Sequence, residues 1–304
     1  METIVRSRAH ADHLLIRLRP APSRRPELDG LRGIAILLVL WAHLLTGVSP
    51  NNRPFLPGFP DLLPGGGLTG VQLFFVLSGY LITTILRRDI DRRGMHSFSG
   101  FYFRRARRLL PALLAICGAY SLVVIFELTG RAQRLGAGSI WAALTYTSNL
   151  PIFANDGALG HTWSLAVEEQ FYLVWPIALF LAFRLGGVRL VITTTIAVIM
   201  ATSALRHLLS ISQNVGWTDF RWDALMVGAL IAVVPLRVGR TVGIFGFLVL
   251  GYFSVTIVTF QPDVYLITAL AAGAVLLAAP HYNWLRNPVL QFFGLISYSL
   301  YLWH

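Results

Sequence analysis

The chain contains no lysine and a single cysteine, Cys117. A lone cysteine excludes an internal disulfide and any cysteine metal cluster, and within an apolar run it packs as a small hydrophobe. Charge is scarce as well. Only 13% of residues are charged and 55% are hydrophobic, where a soluble domain carries about 25% charged residues. There is no zinc-binding helix motif, no dinucleotide fingerprint and no phosphate-cradling glycine loop; Gly65-Gly66-Gly67 precedes an apolar run and reads as a loop. The charge that remains is basic, a net +11 supplied by arginine. Nucleic acid is the first partner that such a balance suggests. The arginines, however, gather at the ends of apolar runs, where membrane topology accounts for them, so neither a nucleic acid nor a metal is expected as a partner.

What is present is a series of apolar runs at about 31–48, 68–86, 109–128, 162–183, 188–208, 220–236, 241–260, 263–280 and 289–304. Each approaches the roughly 20 residues that a helix needs to cross a bilayer, and no period-two pattern competes. The fold class is therefore all-α, a polytopic transmembrane helix bundle of about nine spans with membrane lipids around it. With the N-terminus inside, 20 of the 25 arginines fall on the cytoplasmic side and five (Arg53, Arg131, Arg134, Arg206 and Arg221) outside, as the positive-inside rule requires. Residues 1–27, with six arginines and no long apolar core, read as a basic cytoplasmic tail rather than a signal peptide. Residues 28–304 form one transmembrane domain. The stretch 140–153 reads as a re-entrant or interfacial piece facing outside. The Pro- and Gly-rich loop at 49–67 is either an acceptor entrance or a plain connector.

Ionisable residues inside such helices are costly and mark pathways or sites. Arg32 opens the first apolar run, and His43 follows eleven residues later, roughly 16 Å along a helix. Glu168, near the outer start of the fourth run, comes to the same depth as His43, roughly 8–9 Å below that face. A histidine beside a carboxylate is a competent general base; the plain alternative is a histidine held by a structural hydrogen bond. Glu169 points about 100° away from Glu168, so one of the two faces the interior. Asp223, two residues after Arg221, either orients the site or lines an acceptor route, or else forms an interfacial salt bridge. On the cytoplasmic side, Arg104, Arg105, Arg107 and Arg108 exceed what topology needs. Arg105 and Arg108 share a helix face and, with Arg32, suit a polyphosphate, although lipid headgroups explain part of the cluster. A phosphate-friendly inner mouth and a base nearer the outer face fit a donor with a charged head and a long arm, such as acyl-coenzyme A.

Six motifs then occur in order: Leu28-Asp29-Gly30-Leu31-Arg32-Gly33 followed by His43; Gly70-Val71-Gln72-Leu73-Phe74-Phe75-Val76-Leu77-Ser78-Gly79-Tyr80; Arg105-x2-Arg108-x2-Pro111; His161-Thr162-Trp163-Ser164-Leu165-Ala166-Val167-Glu168; Arg221-x-Asp223; and Ser297-Tyr298-Ser299-Leu300-Tyr301-Leu302-Trp303-His304. Together they resemble the membrane-bound acyltransferase family 3, over residues 26–304. Gln72 stands where the family often has an acidic residue. The resemblance implies transfer of an acyl group, usually acetyl from acetyl-CoA, to a hydroxyl of a carbohydrate or other small acceptor. His43 and Glu168 would be catalytic, with Arg32, Arg105 and Arg108 at the donor. Asp223, Arg221 and Trp163 would orient the acceptor or the site. It also implies the bacterial inner membrane and ten core spans, so a chain with nine reads as a shortened member or a fragment lacking the last. Two other readings compete: a transporter, which inverted repeats would support, and an inactive membrane scaffold.

Overall fold

The computed structural model describes residues 25–44, 66–93, 98–126, 130–150, 159–211, 221–256 and 262–304. The expected basic tail and the 49–67 loop lie outside them, apart from residues 25–27 and 66–67. Among the described residues there is no strand. The helices are α1 (Pro26–Leu44), α2 (Gly66–Arg93), α3 (Phe98–Phe126), α4 (Gly130–Leu144), α5 (Trp163–Ile211), α6 (Trp222–Val233), α7 (Arg240–Thr256), α8 (Pro262–Ala278) and α9 (Pro288–Trp303). Short 3-10 turns precede α5 at Gly160–Thr162 and lie between α8 and α9.

Over most of its described residues each expected apolar run falls on a helix, and the stretches Gly66–Ile90, Ser99–Phe126, Gly160–Leu208 and Pro262–His281 are long and apolar enough to cross a membrane. The bundle turns large apolar side chains outward, among them Leu114, Phe126, Leu185, Met200, Phe245 and Leu248. In water that surface would be unstable, whereas in lipid it is the ordinary exterior. The chain is built as an integral membrane helix bundle.

Two features differ from the sequence reading. The described part of the 140–153 stretch, residues 140–150, is not a piece by itself. Its first five residues complete α4, which begins at Gly130, and turns follow through residue 150. Arg131, Gln133, Arg134 and three glycines interrupt that helix and hide it from an apolar-run search. The fourth and fifth runs, in turn, belong to one helical stretch of 49 residues broken at Gly187, whose φ of 63° is open to glycine at little steric cost. A straight helix of that length would span roughly 74 Å. Trp163 and Arg206, near its two ends, instead both reach the start of α6: the Arg221 guanidinium lies 4.3 Å from the Trp163 ring centroid, and Arg206 lies 2.8 Å from Asp223. The two limbs therefore double back at Gly187.

Local chemistry sets the helix starts. Pro26 with Glu27 and Asp29 opens α1, and Asn287 caps α9 by accepting from the Val289 amide at 2.8 Å, with Pro288 behind it. α1 packs along α9, and α2 packs along α6. Without a hydrophobic force between helices in lipid, close backbone approach at small residues holds such pairs. A Cβ added at Gly33 would collide with the Leu290 carbonyl, and one at Gly294 with the Asp29 carbonyl.

Candidate functional site

α1, α2, α3, α5 and α9 enclose a cavity of about 110 Å³. Arg32 enters it from α1, Ser78 from α2, Arg105 and Arg108 from α3, Ser164, Glu168 and Tyr172 from α5, and Ser297, Tyr298 and Tyr301 from α9. Four of the predicted residues are thus brought together: Arg32, Arg105, Arg108 and Glu168. Their spacing explains it. Glu168 and Tyr172 are four apart on α5, Arg105 and Arg108 three apart on α3, and Tyr298 and Tyr301 three apart on α9, so each pair shares a helix face.

Within the cavity Glu168 accepts a hydrogen bond from Ser78 Oγ at 2.9 Å and one from the Tyr172 hydroxyl at 3.4 Å. Glu169, which points away from Glu168, is also engaged. Arg105 donates from Nε to its two oxygens at 3.0 and 3.2 Å and from an Nη as well. The same guanidinium lies over the Tyr172 ring, 3.4 Å from its centroid. Arg105 is therefore committed to a protein carboxylate on one edge. Arg108, exposed on the same helix, retains the free reach that a phosphate ligand needs.

The expected pairing of His43 with Glu168 does not form. α1 is described only to Leu44, so His43 sits in its last turn and is exposed. Glu168 lies seven residues into α5 beyond His161, roughly 10 Å along the axis. What stands beside His43 is His304, with ring centroids 4.8 Å apart, and beyond it His161, at 4.8 Å from His304. Tyr301 links this histidine group to the cavity. Its hydroxyl donates to the His161 carbonyl at 2.5 Å, so the Ser164 hydroxyl, also at 2.5 Å, is the donor to it. Tyr301, His304 and Ser78 were not assigned roles from sequence. The spacing Tyr298-x2-Tyr301-x2-His304 is the signal that could have found the first two, because it lines one face of α9.

Of the alternatives open to Asp223, the structure gives it a salt bridge, and Arg221 finds other partners. Asp223, fully buried, takes Arg206 from the second limb of α5 as its partner at 2.8 Å. Arg221, itself buried, lies between the Trp163 ring at 4.3 Å and the Tyr265 ring at 4.5 Å, and donates to the Tyr265 hydroxyl at 3.3 Å. One residue separates them, which on the first turn of α6 sends the two side chains in different directions. None of these three predicted orienting residues lines the cavity. Trp163 closes its neighbourhood by packing edge-on against Phe75, a cavity residue. No group of three or more His, Cys, Asp or Glu side chains among the described residues has the geometry to hold a metal ion.

Comparison with known proteins places this arrangement. The family described as an acyltransferase domain matches residues 25–304. A provisionally named O-acetyltransferase of Staphylococcus aureus (strain COL) is 32% identical over 324 residues, covering 92% of this chain and 50% of the relative. The O-acetyltransferase OatA of Staphylococcus aureus (strain NCTC 8325) is 30% identical, covering 93% of this chain and 50% of its own. A provisionally named peptidoglycan O-acetyltransferase, YrhL, of Bacillus subtilis (strain 168) is 29% identical over 92% of this chain and 48% of its own. The chain spans about half the length of these curated relatives. No solved structure matches it. With the family match running from residue 25 to residue 304 and all six motifs inside it, the chain belongs to acyltransferase family 3.

Proposed function

We propose that the chain is an integral-membrane O-acyltransferase that moves an acyl group, acetyl in the first instance, from acyl-CoA to a hydroxyl of an envelope carbohydrate. The names of OatA and YrhL favour peptidoglycan as the acceptor. The N-terminus is cytoplasmic in the bacterial inner membrane, and nine spans carry the chain across. One observation supports the reading above the others. A single cavity has arginines at its α1 and α3 walls and connects through Tyr301 to the imidazole group that contains His43.

In this mechanism the donor's phosphates are held by Arg32 and Arg108, with Arg105 as a wall fixed by Glu169. The donor's arm crosses the cavity past Glu168, whose carboxylate is held by Ser78 and Tyr172. At the far end His43 takes the proton of the acceptor hydroxyl. The hydroxyl oxygen attacks the thioester carbonyl and the C–S bond breaks. The leaving thiolate recovers the proton from His43 as free coenzyme A thiol. Asp223, Arg221 and Trp163 act at a distance by fixing the start of α6 against α5.

The test uses the full chain in nanodiscs with acetyl-CoA and a soluble N-acetylglucosamine oligomer, reading thiol release and the mass of the glycan. Thiol release coupled to a 42 Da gain on the glycan is expected, on the order of a hundredfold slower or more in His43→Ala. Equal rates for wild type and His43→Ala would sink the mechanism.

A further inference from the structure

Three imidazoles meet at the end of α1, and each is fixed by a backbone carbonyl. His43 Nδ1 lies 2.9 Å from the Val39 oxygen, His304 Nδ1 2.6 Å from the Tyr301 oxygen, and His161 Nε2 3.2 Å from the Leu302 oxygen. A carbonyl oxygen only accepts, so the nitrogen facing it carries the proton. In the neutral rings, Nε2 of His43 and Nε2 of His304 are then bare acceptors. Nε2 of His304 is buried and has no hydrogen-bond partner among the described residues. Buried polar atoms are rarely left so, and an exception calls for a reason. The groups facing the His304 ring are His43 from α1, His161 from the turn before α5, and Tyr301 from its own helix, whose ring centroid is 5.2 Å away. Among the described residues no carboxylate pairs with His43 or His304.

We propose that His304 is a positioning residue for His43, holding its ring in edge contact and favouring, through the bare and buried Nε2, the imidazolium that forms at His43. The proposal rests on His43 being the base. When the acceptor's O–H bond breaks, an N–H bond forms at His43 Nε2. The imidazolium then donates from Nδ1 to the Val39 carbonyl, while its Nε2–H stays directed at the reacting atoms. When the thioester C–S bond breaks, the thiolate takes that proton and His43 returns to neutral. The two rings meet edge to face, with centroids 4.8 Å apart and planes inclined at 71°. A neutral acceptor in this place does for the imidazolium what a carboxylate does elsewhere, without a buried negative charge.

The experiment is nitrogen-15 NMR of histidine-labelled full chain in nanodiscs, titrated with pH, for wild type, His304→Ala and His304→Gln. The expected wild-type spectrum has His304 protonated on Nδ1 only. In His304→Ala the His43 midpoint moves to lower pH by at least about half a unit, and in His304→Gln, whose amide oxygen keeps an acceptor there, it returns part of the way. A His43 midpoint that the Ala and Gln variants leave unmoved overturns the proposal, as does a wild-type His304 carrying its proton on Nε2. The wild-type tautomer is read even if a variant fails to fold. Thiol release by His43→Ala separates the two levels. If that variant is fully active, His43 is not the base; if it is inactive while the NMR coupling is absent, only the role of His304 falls.

Discussion

Asp223→Ala is the perturbation whose size the structure specifies most directly. Asp223 is fully buried, Arg206 is 3% exposed, and their charged atoms lie 2.8 Å apart. Removing the carboxylate takes a close counter-charge from a buried guanidinium, a loss on the scale of about 3–5 kcal/mol for breaking a buried pair. Arg206 keeps the Tyr265 ring at 4.7 Å and the Pro262 carbonyl at 3.4 Å, so the lower end of that range applies. On the soluble-protein scale of roughly 2–4 °C per kcal/mol, the melting point falls by roughly 6–12 °C. The assay is built into the chain. Cys117 is the sole cysteine and is 4% exposed, so a fluorogenic maleimide stays dark until the bundle opens. Combining Asp223→Ala with Arg206→Met removes both charges and recovers most of the loss, because replacing a buried pair by apolar groups is close to neutral. The reasoning is refuted if Asp223→Ala melts within about 1 °C of wild type, or if the double variant melts no higher than the single.

Two further outcomes follow from the same geometry. Arg32→Ala removes a charge-assisted contact with the donor, worth about 1.5–3 kcal/mol; KM for acetyl-CoA is expected to rise by about 10–100-fold with kcat nearly unchanged, whereas Arg105→Ala, which strands Glu169, mainly lowers the melting point. Unchanged donor KM in Arg32→Ala would remove that arginine from the donor site. Gly294→Ala forces a methyl group into the Asp29 carbonyl and pries α9 from α1, at a cost of about 1–3 kcal/mol or more; Gly251→Ala, with nothing within 4 Å of the added carbon, is the control and melts like wild type in the maleimide assay.

Much of the fold was legible because lipid simplifies the code. A helix in a bilayer must satisfy its own backbone, so an apolar run of sufficient length reads directly as a helix. α4 escaped because it is short and interrupted by Arg131 and Arg134. The hairpin in α5 was legible as two runs, though not as a reversal at a single glycine. Arg32 and Glu168 stood out as charges in apolar runs, and Arg105 and Arg108 as arginines beyond what topology needs; the structure gathers the four in one cavity. The pairings were not legible. Depth along a helix is a one-dimensional coordinate, and it does not give the azimuth of a side chain. That gap moved Glu168 toward His43.

By itself the sequence determined what each residue could be. Scarce charge and nine apolar runs set a helical membrane bundle, arginines without lysine marked its basic face, and six ordered motifs carried the family. These are local or compositional properties, and local chemistry is written residue by residue. Only the tertiary structure decided who meets whom. It gave Glu169 to Arg105 and Arg206 to Asp223, and it set His304 against His43, because such contacts depend on where α1, α3, α5 and α9 cross. Those crossings are set by backbone approach at residues such as Gly33 and Gly294, where an added Cβ would meet a backbone carbonyl of the neighbouring helix.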